Sequence, residues 1–211
     1  MDNRSIYLHL ISAGMTPAGA CGLMGNFRAE SAMRSNNAQD GMTKLSDAEY
    51  TAAADKGTID FVHDAVGYGL AQWTYWKRKE NLLRFCKARG VSVGNVQAQL
   101  DFCIHELKTE YGTLWKRLCS TDSVYDAAAV VCTNYERPAV NNIADRAAFA
   151  LTLFKTLSGE TAGPVGSARP AEAPEPEVET VNVKVKVLKR GANGSAVKAL
   201  QLLLNGAGCT C

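Results

Sequence analysis

The 211-residue sequence has no stretch able to cross a bilayer. Its longest apolar runs, such as Ala127 to Val131, fall far short of the roughly 20 residues a spanning helix needs. A basic leader is also missing: Met1-Asp2-Asn3-Arg4-Ser5 has the wrong charge pattern, and His9 interrupts the apolar stretch that follows. Neither a signal peptide nor membrane insertion is expected. Histidine is scarce, with three in all, and no CxxC or HExxH occurs, so the common zinc frameworks find no support. Net charge is only +2, and no aromatic residues interleave with the basic tail, so nucleic acid is not an expected partner. The seven cysteines are an odd number. Cys21, Cys86, Cys103, Cys119 and Cys132 sit in helix-like apolar patterns, as small buried thiols do in a reducing compartment. Cys209 and Cys211 form an isolated CxC that defines no metal site.

What is present is an ordinary globular composition, 46% apolar and 21% charged, long enough for one full domain and something small. The charges divide unevenly. Residues 1–158 carry 17 Lys and Arg against 16 Asp and Glu, residues 159–181 carry 1 against 5, and residues 182–211 carry 5 against 0. The middle block also holds Pro164, Pro170, Pro174 and Pro176 with Glu, Ala and Gly, and nothing that could form a core. It reads as a semi-stiff linker between a first domain (1–158) and a short basic tail (182–211) suited to an anionic surface.

Within the first domain, helical spacing predicts a helix over 3–13 ended by Gly14, and a second that starts with Thr16 as cap and Pro17 in the first turn. Ala20, Leu23 and Phe27 share its inward face. A polar loop follows over 31–45, then the capping box Ser46-Asp47-Ala48-Glu49 opens a helix to Gly57. Loose alternation over Thr58–Tyr68 predicts a short hairpin. Thr74 is expected to cap a helix with Leu82, Leu83 and Phe85 inward and Lys77, Arg78 and Lys79 outward. Further helices are expected over 95–111, over 114–119, from an Asp122 cap to just before Pro138, and over 142–157. The sum is a mostly α member of the α+β class with one small β element.

Two segments carry the chemistry. Gly22-Leu23-Met24-Gly25-Asn26-Phe27-Arg28-Ala29-Glu30-Ser31 ends an apolar helix in a carboxylate. A carboxyl there loses solvation and meets the negative end of the helix dipole, conditions that favour its protonated form and suit a general acid. Some forty residues on, Gly67-Tyr68-Gly69-Leu70-Ala71-Gln72-Trp73-Thr74 offers an amide among glycines and apolar residues, with Tyr75 and Trp76 following. Tyr68, Trp73, Tyr75 and Trp76 could stack on sugar rings, with core packing as the competing explanation for the tryptophans. Asp40, Asp47 and Asp64 lie between the segments. Asp47 is explained as helix N-terminal charge, while Asp40 and Asp64 could each position a water.

The two segments in this order resemble the phage tail-tip and endolysin lysozyme domain, a relative of goose-type lysozymes and lytic transglycosylases, over about Pro17 to Leu157. The resemblance implies a lysozyme-like fold and cleavage of the N-acetylmuramic acid–N-acetylglucosamine bond of bacterial peptidoglycan. It places the catalytic acid on Glu30, the sugar cleft at Gln72 and the neighbouring Ser31, and a cleft tyrosine at Tyr135. Glu136 beside Arg137 reads as a local ion pair. The tail segment Leu188–Gly208 resembles the opening half of a peptidoglycan-binding repeat. The reading calls for no cofactor and no metal. It expects a monomer, held in the host cytoplasm until released to the wall or carried on the virion. Two other classes stay open: a cysteine-dependent wall amidase or endopeptidase using Cys21 with His9, His63 or His105, and a non-catalytic wall-binding tail protein.

Overall fold

The computed structural model describes residues 1–158, all within one unit of the chain, Met1–Val165. The expected linker and partial repeat lie outside the described residues. The architecture is built on α2 (Pro17–Ser31), which packs mainly against α7 (Val124–Val131) and α8 (Ile143–Leu157), with α1 (Asn3–Ser12) and α6 (Gly112–Leu118) also touching it. Thr16 caps α2 by accepting from the Gly19 amide at 3.0 Å, with Pro17 at its first position. Every residue from Ala18 to Phe27 is buried, so the expected single inward face understates the helix. Its glycines explain the difference. A Cβ on Gly22 would lie 2.3 Å from the Ala127 side chain, and one on Gly25 would lie 2.3 Å from the Arg146 carbonyl. Glycine in a helix costs about 1 kcal/mol relative to alanine, and here it lets two helix backbones approach α2 directly.

The remaining helices are α3 (Asp47–Lys56), α4 (Trp76–Ala88) and α5 (Val96–Thr109). The Ser46–Glu49 capping box forms on α3, and Asn95 caps α5 through the Ala98 amide. Two caps differ from expectation. Thr74 donates to the Gln72 carbonyl and α4 starts without a side-chain cap, while α7 is capped by Ser123 in place of Asp122. The predicted hairpin over Thr58–Tyr68 does not form. Turns occupy that stretch, and among the described residues the β content is two isolated antiparallel bridges, Ala38 to Tyr68 and Tyr68 to Trp73. The tight turn is therefore the Gly69–Gln72 segment itself, where Gly69 takes φ +76° and Gln72 φ +44°.

The basic face predicted for α4 is also revised. Lys79 is fully buried, its ammonium held by the Asp64 carboxylate at 2.5 Å, the Val66 carbonyl at 2.7 Å and the Tyr50 hydroxyl at 3.1 Å. The chain after α7 continues as a π-helical turn, Cys132–Glu136, and Arg137 at φ +51° ends it before Pro138. Among the described residues, no helix is long and apolar enough to cross a membrane.

Candidate active site

The last turn of α2 opens into a cleft of about 640 Å³ whose lining includes Glu30, Asn37, Gln39, Asp40, Gln72, Tyr75, Arg78 and Glu136. Glu30 is held from behind. Its Oε1 lies 2.8 Å from Nη2 of Arg146, and Arg146 is buried in α8 with Nη1 on the Asn26 side-chain oxygen at 3.0 Å. Asn26, one helical turn before Glu30, also donates to the carbonyls of Gly22 and Ala128. One amide thus ties α2, α7 and α8 together and fixes the cation that meets the Glu30 carboxylate.

The opposite wall is the Gly67–Thr74 turn. Ser31 fastens it to α2, donating to the carbonyls of both Phe27 and Leu70. Gln72 spends its Nε2 on the carbonyls of Asn37 and Gly69, both at 3.1 Å, which leaves Oε1 for a ligand. Its left-handed backbone is uncommon for a residue with a side chain, and such strain concentrates at working sites.

Beneath this turn lies a buried carboxylate. Glu106, 1% exposed, accepts from Trp73 Nε1 at 2.9 Å, the Tyr135 hydroxyl at 2.7 Å, and Arg78 Nε and Nη2 at 2.9 Å each. Arg78 also stacks over the Tyr135 ring at 4.5 Å. The turn, α4, α5 and the π-helical segment meet at this one side chain, which gives the cleft a fixed floor. Glu106 sits within an apolar helix face, and nothing local in the sequence marks it.

The sequence candidates therefore separate. Glu30, Asp40 and Gln72 come together in the cleft, with Tyr75 at its edge. Tyr68, Trp73 and Tyr135 do not present sugar-stacking faces: each is at most 2% exposed, and each hydroxyl or indole N–H is taken by Thr51 or Glu106. Ser31 is likewise committed to backbone. Asp64 is not in the cleft lining, since it pairs with buried Lys79 and accepts from Tyr50. The exposed aromatic surface is Tyr75, 58% exposed, continuing to Trp76, 45% exposed, on whose ring His63 stacks.

Glu136 departs from the local ion pair expected of it. It does not pair with Arg137, whose Nε donates to the Asn134 carbonyl. The π-helical turn directs Glu136 into the cleft, with Oε1 out of solvent and without a hydrogen-bond partner among the described residues. Burial first, and the charge of Glu30 second, push its carboxyl well above the ordinary 4.5.

Cys21 cannot serve as a nucleophile. It is fully buried inside α2, and burial pushes its thiol up to about 12. The histidines are engaged elsewhere: His9 with Asp101 and Gln97, His63 with Asp60 and Trp76, His105 beside Phe85. A second hollow of about 450 Å³ near Tyr111 and Leu114 has its Asp126 paired to Arg117.

A mostly helical domain with two glutamates lining one polar cleft, beside an exposed aromatic edge, belongs to the lysozyme-like class. The family model for phage tail lysozyme matches residues 2–157, and the chain belongs to that family. Morphogenesis protein 1 of Bacillus phage B103 is similar, 26% identical over 161 residues. The match takes in 72% of this chain but 38% of that relative, so the chain spans well under half of its length.

Proposed function

We propose that this domain degrades bacterial peptidoglycan by breaking the N-acetylmuramic acid–N-acetylglucosamine bond, with Glu30 delivering the proton to the leaving oxygen. The supporting observation is the position of Glu30: the final turn of a buried helix, opening on a cleft that bears amides, a second carboxyl and an aromatic edge. Arg146, anchored on Asn26, fixes the carboxyl and stabilises its carboxylate form. Tyr75 and Trp76 offer flat faces for successive sugar rings, and Gln72 Oε1 accepts an acetamido N–H. Asp40, exposed at the rim, could hold a water for hydrolysis, while a transglycosylase would let the sugar's own 6-hydroxyl attack. The family's tail association and the phage relative's name favour a virion-borne role.

Mass spectrometry of digested walls tests the reading. New reducing ends signify hydrolysis, 1,6-anhydro ends signify transglycosylation, and free peptide termini alone would refute glycan cleavage. Glu30→Gln should keep the fold and lose about two to four orders of magnitude in activity. Retention of more than about a tenth of the activity would remove Glu30 as the acid.

A further inference from the structure

We propose that Glu136 is a second catalytic carboxyl, sharing with Glu30 the proton that reaches the leaving oxygen. This rests on the glycan-cleaving role given to Glu30. The two side chains come from separate elements, α2 and the π-helical turn, and open on one cleft. Their surroundings differ. Glu30 has a cation of its own in Arg146. Glu136 faces Arg146 from α8 and Arg78 from α4, but Arg78 is held by Glu106, and Arg146 turns its two Nη groups to Glu30 and Asn26 while neither its Nε nor Glu136 Oε1 has a hydrogen-bond partner among the described residues. The other titratable neighbours are Glu30 from α2, Glu106 and Cys103 from α5, and Cys132 and Tyr135 on its own segment. None of these adds a positive charge. A buried carboxyl that faces a second one and receives no hydrogen bond on Oε1 from the described residues favours its protonated form, and that carboxyl is Glu136.

At rest the proton lodges on Glu136, the carboxyl without a cation, while Glu30 stays against Arg146. When the glycan fills the cleft, the proton passes through the pair to the glycosidic oxygen. The C1–O bond breaks with its electron pair going to that oxygen. Water, or the sugar's 6-hydroxyl, then bonds to C1 and returns its proton to the pair, so the carboxyls end as they began.

The test is the pH profile of kcat/KM for the full chain on soluble glycan strands, with Glu136→Gln, Glu136→Asp and wild type compared and folding checked by thermal melting. Glu136→Gln should stay active at acid pH, with the alkaline limb moved toward acid by at least about tenfold in proton concentration. Glu136→Asp, which keeps a carboxyl, should bring part of that limb back and also serves if the glutamine form folds poorly. An unmoved limb would overturn the proposal, because a merely structural Glu136 leaves the profile unchanged. So would a folded Glu136→Gln that is inactive at every pH, because Glu136 would then be the sole donor. Failure of the underlying reading shows separately, as an active Glu30→Gln or a wild type that leaves glycosidic bonds intact.

Discussion

Replacing Glu106 by Gln changes few atoms, yet it is expected to be among the most damaging substitutions in the domain. The side chain is 1% exposed and takes four hydrogen bonds, two of them from the Arg78 guanidinium. A glutamine oxygen in the place of Oε2 keeps Trp73, Tyr135 and Arg78 Nη2, but its NH₂ must then replace Oε1 and face Arg78 Nε. One charge-assisted bond is lost and the other loses its anionic acceptor, so Arg78 is left partly buried at 17% exposure, without a counter-charge and with its Nε–H facing N–H. Breaking one side of a buried ion pair costs about 3–5 kcal/mol. At about 2–4 °C per kcal/mol for a domain of this size, Tm should fall by about 6–20 °C. Thermal melting of the single variants and of Glu106→Gln with Arg78→Met gives the full cycle. The double variant should lose less than the sum of the singles, because no unpaired cation remains. A fall below about 2 °C, or strict additivity, would show that the four elements are not held together through this carboxylate.

Gly25→Ala should destabilise by about 1–3 kcal/mol and lower activity as well, since the new methyl meets the Arg146 carbonyl and displaces the cation behind Glu30. Gly112→Ala, with no atom within 4 Å of the added carbon, should be close to neutral in the same melts. Glu136 also predicts a pH dependence of stability. Its folded carboxyl is raised above the ordinary 4.5, so between these limits the native state binds a proton the unfolded chain has released. Stability should therefore fall as pH rises through that window. Glu136→Gln should match wild type below the window and exceed it above, and a constant difference across pH would contradict this. Residues 182–211, with five positive charges and no acid, are expected to bind walls weakly and by charge. A chain cut after Leu157 should be slower on insoluble walls at low salt, and equal to the full chain once the Debye length drops below about 8 Å. Tight, salt-independent binding by the tail would refute the electrostatic account.

The sequence by itself determined what is decided over three or four residues. Thr16 before Pro17, Ser46 before Glu49 and Asn95 before Ala98 each start a helix where expected, because a cap is a contact between near neighbours in the chain. The Gly22–Ser31 and Gly67–Thr74 segments were legible together through their resemblance to a family, and the cleft contains Glu30 and Gln72 from them. Tertiary structure decided which polar groups are spent. Trp73 read as a sugar platform and Tyr135 as a cleft tyrosine, but Glu106, some 30 residues away from each, takes their N–H and O–H and allows both rings into the core. Lys79 reads as one more cation on a basic helix, and only the approach of Asp64, Val66 and Tyr50 makes its burial tolerable. Glu136 sits next to an arginine in sequence, but a π turn followed by a left-handed Arg137 sends the two side chains apart. Local spacing encodes helices; whether a charged or aromatic side chain ends in core, cleft or solvent depends on distant partners that compensate its lost hydration.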